Sequence, residues 1–378
     1  MNTLRIKSTI CAASLKALPL ALALAAGAAH ADDASNMFSY SGFGTLGEAQ
    51  TSSNAGEYIR DRQPGGANKN PDFNVDSNLG LQLTGVATSW LSGTVQVLSM
   101  ERGDKNYITT DAEWAFLKLQ PFEGLSIRAG RTDLPMFAIS DFRNVGYANT
   151  WLRPPNEVYG LALLERLQGV DVSYHLPIAS TKLDVTALAG TSFFYGAGGT
   201  VATVNNVKGL NLQWETEWAT LRIGRIEGDV QLPGGSDHYA FTGIGAIVDR
   251  DNVVTQAEFV TRRSANNGSL VNADGWYVLG GYRFNSILPY VSYASEKPKT
   301  PGYPVHLNGS QSTLALGMRW DAWKSAALKF QIERVNTDGT AGVSFATPLL
   351  PGPPGAPPAG SPVTQPVTVF SVAVDYVF

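Results

Sequence analysis

The chain has 378 residues, of which 44% are hydrophobic and 16% are charged, and its formal net charge is −4. Globular chains average about 25% charged residues, so this chain is poor in charge, and its acidic balance gives no support to a nucleic-acid partner. The 8 Trp, 14 Tyr and 16 Phe exclude wholesale disorder, and the lack of any apolar run of about 18 residues after residue 31 excludes a helical membrane protein.

The first 31 residues have the three parts of a secretory signal peptide. Three cations precede an apolar stretch over 17–29, and an Ala-His-Ala cleavage site ends at Ala31. This stretch is too short for a retained membrane anchor, so we expect removal of residues 1–31 and a single exported domain over 32–378. The only cysteine, Cys11, lies in this leader without a lipobox before it, so the exported chain has neither a disulfide nor a thiolate metal site.

Apolar and polar residues alternate along the exported region, which predicts β-strands with one apolar face. Leu328, Phe330 and Ile332, for example, alternate with lysine, glutamine and glutamate. The segments have about 9–11 residues, the length that a tilted strand needs to cross a bilayer. Sixteen strands are predicted, and they begin near Phe38, Val75, Leu91, Asp111, Gly124, Gln168, Lys182, Val207, Trp218, His238, Asn252, Ala273, Leu288, Gln311, Ala326 and Val367.

Short turns and long polar loops alternate between these strands. Residues 88–90 and 249–251 are examples of turns, and 101–110 and 133–167 are examples of loops. Bacterial outer-membrane barrels combine this alternation with an even number of strands. A soluble β-sandwich would use strands of about 5–6 residues, and a β-helix would show a fixed repeat, which we do not find. The sequence therefore predicts an all-β fold, a 16-stranded antiparallel transmembrane β-barrel.

The final predicted strand runs to the last residue. Its apolar and aromatic positions alternate with mostly smaller or polar ones, and they are Phe370, Val372, Val374, Tyr376 and Phe378. A free edge of this kind would be prone to aggregation in a soluble protein. We therefore expect this strand to pair with the first one and close the barrel, with its terminal aromatic in the interfacial girdle.

Taken together, these features resemble the general bacterial porins. The resemblance rests on the signal peptide, the sixteen strands, "DSNLGLQL" in the second strand, "IRAGR" in the fifth, a long third loop and "VAVDYVF" at the end, and it covers nearly the whole exported chain. It implies a homotrimer in the outer membrane of a Gram-negative bacterium, in contact with lipid and lipopolysaccharide. It also implies a water-filled channel in each barrel, narrowed by an inward-folded third loop, and no cofactor.

In this family, acidic residues of the third loop face arginines on the barrel wall. Arg131 matches one of these arginines, whereas Asn78 occupies a position at which many relatives have arginine. Loops longer than about 12–15 residues are usually functional or disordered, and the aromatics of this loop make disorder a poor explanation. We therefore interpret it as a constriction loop, with the acids Asp133, Asp141 and Glu157 and the bases Arg143 and Arg153. An exposed or partner-binding loop is the alternative.

Four arginines on the wall complete the candidate constriction. Arg128 and Arg222 lie on the polar faces of their strands, and an arginine on the lipid face would cost about 2–4 kcal/mol at mid-membrane, so both should face the lumen. Arg131 and Arg225 have the opposite parity. We expect these two at the rim, where the family match would let Arg131 turn inward, and a rim salt bridge is the alternative for each.

The predicted function is passive diffusion of small hydrophilic solutes and ions, without enzymatic activity. A substrate-selective channel for small anions such as carboxylates or phosphate, an outer-membrane hydrolase and a non-conducting structural barrel remain as alternatives. Ser236-Asp237-His238 has the residue types of a hydrolytic triad, but consecutive residues cannot orient one another in that way. The Pro-rich segment 348–366 cannot join a β-ladder, so we interpret it as an external loop.

Overall fold

The computed structural model describes residues 37–60, 63–102, 108–164, 166–195, 201–232, 235–265, 272–299, 309–339, 342–346, 363 and 365–378. The predicted signal peptide and most of the Pro-rich segment lie outside these residues. The strands of the described residues are β1 (Phe38–Thr51), β2 (Glu57–Tyr58), β3 (Asn78–Thr88), β4 (Leu91–Glu101), β5 (Ile108–Phe122), β6 (Leu125–Thr132), β7 (Leu167–Ile178), β8 (Thr181–Tyr195), β9 (Val201–Glu215), β10 (Ala219–Leu232), β11 (Gly235–Arg250), β12 (Val253–Ser264), β13 (Ala273–Tyr282), β14 (Ile287–Pro298), β15 (Gln311–Trp323), β16 (Ala326–Asn336), β17 (Phe345–Ala346) and β18 (Val367–Val377).

Within the described residues, sixteen of these strands form one closed antiparallel barrel, as predicted. Each strand pairs with its neighbours in chain order, and β18 pairs with β1 in the register Phe43↔Val377, so the last strand closes the barrel. The strands begin close to their predicted first residues. The largest difference is in β9, which begins at Val201 rather than Val207 because it stays paired with β8 up to Tyr195.

The two remaining strands, β2 and β17, were not predicted. They pair with each other in a separate sheet, where Tyr58 lies opposite Phe345. Their rings make an edge-to-face contact with centroids 5.8 Å apart, in a small cluster of buried side chains. This cluster joins the loop after β1 to the loop after β16. The sequence predicted both segments only as polar loops.

The two faces of the barrel wall follow the alternation in the sequence. On β16, Phe330 and Ile332 are exposed, whereas Lys329, Gln331 and Glu333 on the other face are buried. In a closed barrel the exposed apolar row is the outer surface, and the polar row faces the interior, the reverse of a soluble core. No helix in the described ranges is long and apolar enough to cross a membrane.

The largest buried cluster lies inside the barrel and not between two sheets. Residues 133–166, which connect β6 to β7, supply one side of this cluster, and inward-facing aromatics such as Tyr239, Phe241 and Tyr277 supply the other. We call residues 133–166 the inner segment. It contains two short 3₁₀ turns, Ser140–Phe142 and Gly146–Ala148, and one helical turn, Asn156–Tyr159.

Candidate pore constriction

The inner segment makes hydrogen bonds to inward-facing side chains on widely separated strands. The amide of Ala138 donates to Glu258 of β12 at 2.8 Å, and the amide of Leu152 donates to Tyr290 of β14 at 3.2 Å. On β3, the side-chain amide of Asn78 donates to the carbonyl of Asn144 at 3.3 Å. A segment that contacts the inner faces of β3, β12 and β14 runs inside the barrel.

Lys329 of β16 is the most heavily bonded cation of the wall. Its Nζ donates to the carbonyls of Gly146, Asn149 and Trp151 at 2.7, 2.7 and 2.8 Å, and lies 2.9 Å from Asp375 of β18. Its side chain has no exposed surface, so these bonds replace the whole hydration of the ammonium. Lys329 therefore holds the middle of the inner segment against the wall.

Arg153 lies in a second buried network, which corrects its predicted place at the constriction. Its Nε and Nη2 donate to Asp76 at 2.9 and 2.6 Å, and its Nη1 donates to Glu333. The guanidinium also stacks on the ring of Tyr58 at 5.1 Å. Burial by itself would lower the pKa of Arg153, but Asp76 and Glu333 raise it well above the usual range, so this cation stays charged inside the protein.

Glu157, an acid of the inner segment, also serves the packing of that segment and does not line an aperture. Glu157 is buried and accepts hydrogen bonds from Gln311, at 2.8 Å, and from Thr313. Burial raises the pKa of Glu157, although these two hydrogen bonds oppose the shift. Burial also raises the pKa of Asp133 well above its usual range, against the opposing charge of Arg143. The buried contacts of Glu157 place it in the packing of the inner segment, so its predicted place at the constriction is wrong, whereas the role of Asp133 stays a prediction.

Arg128 and Arg222 face the interior, as predicted, but with different degrees of freedom. Arg222 is buried, and it donates from Nη1 to the carbonyl of Met136 at 2.8 Å and from Nη2 to that of Pro135. Arg128 is more exposed, and its Nε bridges both oxygens of Asp171 at 2.9 and 3.1 Å. Arg222 therefore holds the start of the inner segment, whereas Arg128 keeps nitrogens toward the lumen.

Arg131 and Arg225 lie on the outer face, so their predicted place in the constriction is wrong. Arg131 pairs in register with Gln168 and donates to the carbonyl of Ala112 at 3.1 Å, and it does not turn inward. Arg225 has a side chain that is 55% exposed and pairs with Glu227 at 2.7 Å, the rim salt bridge of the alternative prediction. Strict period-two alternation decides both positions, because the β6–β7 and β9–β10 registers contain no bulge at these residues.

One cavity of ≈ 250 Å³ separates the inner segment from strands β5 to β10. On the wall side it is lined by Lys118, Arg128, His175 and Arg222, together with Asp184, and on the segment side by Asp141, which is exposed. Arg143 lies elsewhere, in a much smaller recess beside Arg60, Pro154 and Gly160. Of the nine predicted constriction residues, Arg128, Asp141 and Arg222 meet at this cavity.

Lys118 is the lining residue that the sequence analysis missed. Its strand carries Trp114 and Phe116 on the inner face and Ala115 and Leu117 on the outer face, so it is apolar on both sides. This pattern hides the alternation that reveals other strands. The pairing of Lys118 with Arg128 across β5 and β6 would have been the useful signal, since it puts both on one face.

Ser236, Asp237 and His238 do not come together as a hydrolytic triad. Asp237 is buried and accepts a hydrogen bond from Ser264, whereas His238 projects from the opposite face of β11 and contacts Asp229 at 3.0 Å. Ser236-Asp237-His238 is thus an ordinary strand sequence, as expected from its consecutive residues. Over the ranges that the structure describes, no three His, Cys, Asp or Glu side chains are grouped as a metal site would require.

Comparison with known proteins finds similarity in structure and not in sequence. No family model and no curated protein matches the chain. Among solved structures, the outer membrane channel DcaP of Acinetobacter baumannii aligns with a TM-score of 0.59 at 10% identity, covering 90% of this chain and 97% of that one. An anion-selective porin from Comamonas acidovorans aligns with a TM-score of 0.58 at 12% identity, covering 90% and 100%.

A third similar structure is the trimer form of OmpT, an outer membrane protein of Vibrio cholerae. It aligns with a TM-score of 0.52 at 12% identity, covering 91% of this chain and all of that one. The structural neighbours are Gram-negative outer-membrane porins, and the chain has their fold.

Proposed function

We propose that the protein forms a water-filled channel in a Gram-negative outer membrane, through which small hydrophilic solutes and ions diffuse passively. The observation that carries this proposal is the cavity between the inner segment and strands β5 to β10, where three wall cations and Asp184 face Asp141 of the inner segment. A structural barrel would fill this space with large side chains. Here the lining is mostly polar, with both signs of charge.

The arrangement of charge supports a constriction with a transverse field. Lys118, Arg128 and Arg222 lie on the wall, and Asp141 faces them from the inner segment. Fixed opposite charges across a narrow, low-dielectric aperture order water and favour polar solutes over apolar ones. The anchoring of the inner segment by Lys329 and Arg153 supports an aperture of constant width.

The outer surface supports a location in the membrane. The rows of exposed apolar residues on the barrel suit contact with lipid, and the mixed charges above them, such as Arg225 and Glu227, suit the region of lipopolysaccharide head groups. We propose export by a cleaved signal peptide and assembly into a homotrimer. The trimer form of the Vibrio cholerae protein supports this assembly by analogy of fold alone.

The test is conductance of the purified full-length protein in planar bilayers under a KCl gradient. We expect discrete channels, in steps of three for a trimer, and a reversal potential that Arg128→Gln moves toward cation preference. Arg225→Gln is the matched control, since this arginine lies on the outer face and should leave the reversal potential unchanged. Bilayers that show no channels would refute the proposal.

A channel selective for small anions is the second candidate, and one observation favours it. Of the guanidinium nitrogens of Arg128, only Nε makes a hydrogen bond within the described part of the chain, and Lys118 makes neither a hydrogen bond nor an ion pair there. Two cations with spare N–H donors thus face the cavity. A strong anion preference that Arg128→Gln abolishes would support the selective channel, whereas weak preference would support general diffusion.

A further inference from the structure

Two large aromatic side chains face the lumen from the wall opposite the inner segment. Trp114 and Phe116 of β5 pair in register with Gln96 and Thr94 of β4. The side chains of Gln96 and Thr94 hydrogen-bond to Gln82 and Thr84 of β3 along the same polar inner face. Both aromatics are only partly buried, with ring centroids 6.4 Å apart. Tyr239, Phe241 and Tyr277 also face the interior, but they are buried in the cluster with the inner segment, whereas Trp114 and Phe116 keep part of their surface open.

A pair of cations follows these rings on the same face. Lys118 is two residues beyond Phe116 and lies directly opposite Arg128 across β5 and β6. Like charges directly opposite on neighbouring strands destabilise a sheet. Asp171 is the only carboxylate bonded to this pair within the described residues, and it uses only the Nε side of Arg128. The pair therefore presents an excess of positive charge that an anion would neutralise.

The rings and the cations form one continuous surface. The guanidinium carbon of Arg128 lies 5.4 Å from the centroid of the Phe116 ring. Gly130 is the partner of Phe116 on β6, and Gly169 is its neighbour on β7, so the two residues directly beside the ring contribute no side chain, and Arg128 is the β6 side chain that lies over it. Side chains two positions apart on a strand are about 7 Å apart, the scale of a benzene ring with one carboxylate.

We propose that Trp114, Phe116, Lys118 and Arg128 form a subsite for small aromatic carboxylates that pass through the channel. The ring of the solute lies against Phe116 and Trp114, and its carboxylate accepts hydrogen bonds from Lys118 and Arg128. This inference rests on the proposed channel function and names a solute class for the same aperture.

Space and charge around the cation pair suit such a solute. Lys118 and Arg128 both line the ≈ 250 Å³ cavity, which leaves room beside them for a carboxylate. Trp114 and Phe116 do not line this cavity, but they precede Lys118 on the same inner face of β5 and keep part of their surface exposed. Asp184 is already paired with His175 and Lys182, so it does not compete for the two cations. Asp141 faces them from the inner segment and repels an anion toward the wall.

The experiment measures the block of KCl current by benzoate and by acetate in planar bilayers containing the full-length protein. In the wild type, we expect benzoate to reduce the current at a concentration at least tenfold lower than acetate. Phe116→Leu and, independently, Trp114→Leu should bring benzoate within about twofold of acetate, because leucine keeps the apolar volume but offers no ring face. Lys118→Gln should weaken the block by both anions.

Leu117→Ala is the matched control, because this residue lies between the two key positions but faces outward. It should leave the ratio of benzoate block to acetate block unchanged. Normal KCl channels with equal block by benzoate and acetate would overturn the inference and leave the channel function intact. A benzoate preference that survives both leucine variants would also overturn it. A protein without KCl channels would refute the channel function itself.

Discussion

Replacement of Lys329 by methionine should release the inner segment from the barrel wall. The variant keeps the length of the side chain but removes three hydrogen bonds to carbonyls, of 2.7 to 2.8 Å, and leaves Asp375 without its cation. Among the residues that the structure describes, Asp375 then keeps the hydrogen bond from Thr45, at 2.6 Å. Removal of one member of a buried ion pair costs about 3–5 kcal/mol, which raises the population of a detached segment at least about a hundredfold.

Single-channel recording in planar bilayers measures this release. Lys329→Met should give a larger and noisier conductance than the wild type, with the barrel still folded by circular dichroism. Lys208→Met is the control, since Lys208 lies on the outer face with a side chain that is 71% exposed and 3.8 Å from Glu227. Surface pairs of this kind contribute about 0–1 kcal/mol.

A second variant separates the loss of the hydrogen bonds from the unpaired charge. Lys329→Met combined with Asp375→Asn removes the buried charge that the single variant leaves behind, so it should recover part of the lost stability. The carbonyl of Asn149 keeps the hydrogen bond from Arg319, and that of Gly146 keeps the one from the Asn149 amide, but all three carbonyls still lack the ammonium, so the conductance should remain high. If Lys329→Met folds and its conductance and noise equal those of the wild type, the ammonium does not hold the segment, and our reasoning is refuted.

Two further predictions concern the helical turn Asn156–Tyr159. Gly275→Ala on β13 would put a methyl group inside contact distance of the Glu157 carbonyl and 2.8 Å from Leu161. The variant should lower the free energy of unfolding by about 1–3 kcal/mol, measured by thermal unfolding, and should widen the channel. Gly280→Ala is the control, because its methyl group would meet no atom within 4 Å and should change neither quantity. Burial raises the pKa of Glu157, so its contribution to stability is complete below the unfolded value of about 4.3 and is lost as pH rises through the folded pKa. Glu157→Gln should remove this loss, so that its advantage over the wild type in heat denaturation is larger at pH 8 than at pH 4, and an equal difference at both values would contradict the assignment.

The outer surface of the barrel was predictable from local sequence. A period of two residues puts Phe330 and Ile332 on one face and Lys329 and Glu333 on the other wherever the strand pairs. The same rule places Arg128 inside and Arg225 outside. The same rule also places Arg131 outside, because its register contains no bulge that would turn it inward, so neither Arg131 nor Arg225 reaches the constriction.

The inner segment shows what local sequence could not determine. Its acids and bases carry no periodicity, so nothing near Arg153 in the chain indicates that its partners are Asp76 and Glu333, which are 77 and 180 positions away. The same holds for Lys118, whose alternation is masked by aromatic neighbours. Such residues acquire their roles when distant strands close into a ring.

The sequence by itself therefore determined the sixteen barrel strands, their two faces, their even number and the closing partner of the last strand. These features depend on backbone geometry and on the transfer of apolar side chains out of water, which act over a few residues. Only the tertiary structure decided which charged side chains are engaged in contacts that hold the inner segment and which remain free to face the aperture. Charges and hydrogen bonds act between whatever groups closure brings within a few ångströms, so the division between Arg153 and Arg128 exists only in the assembled barrel.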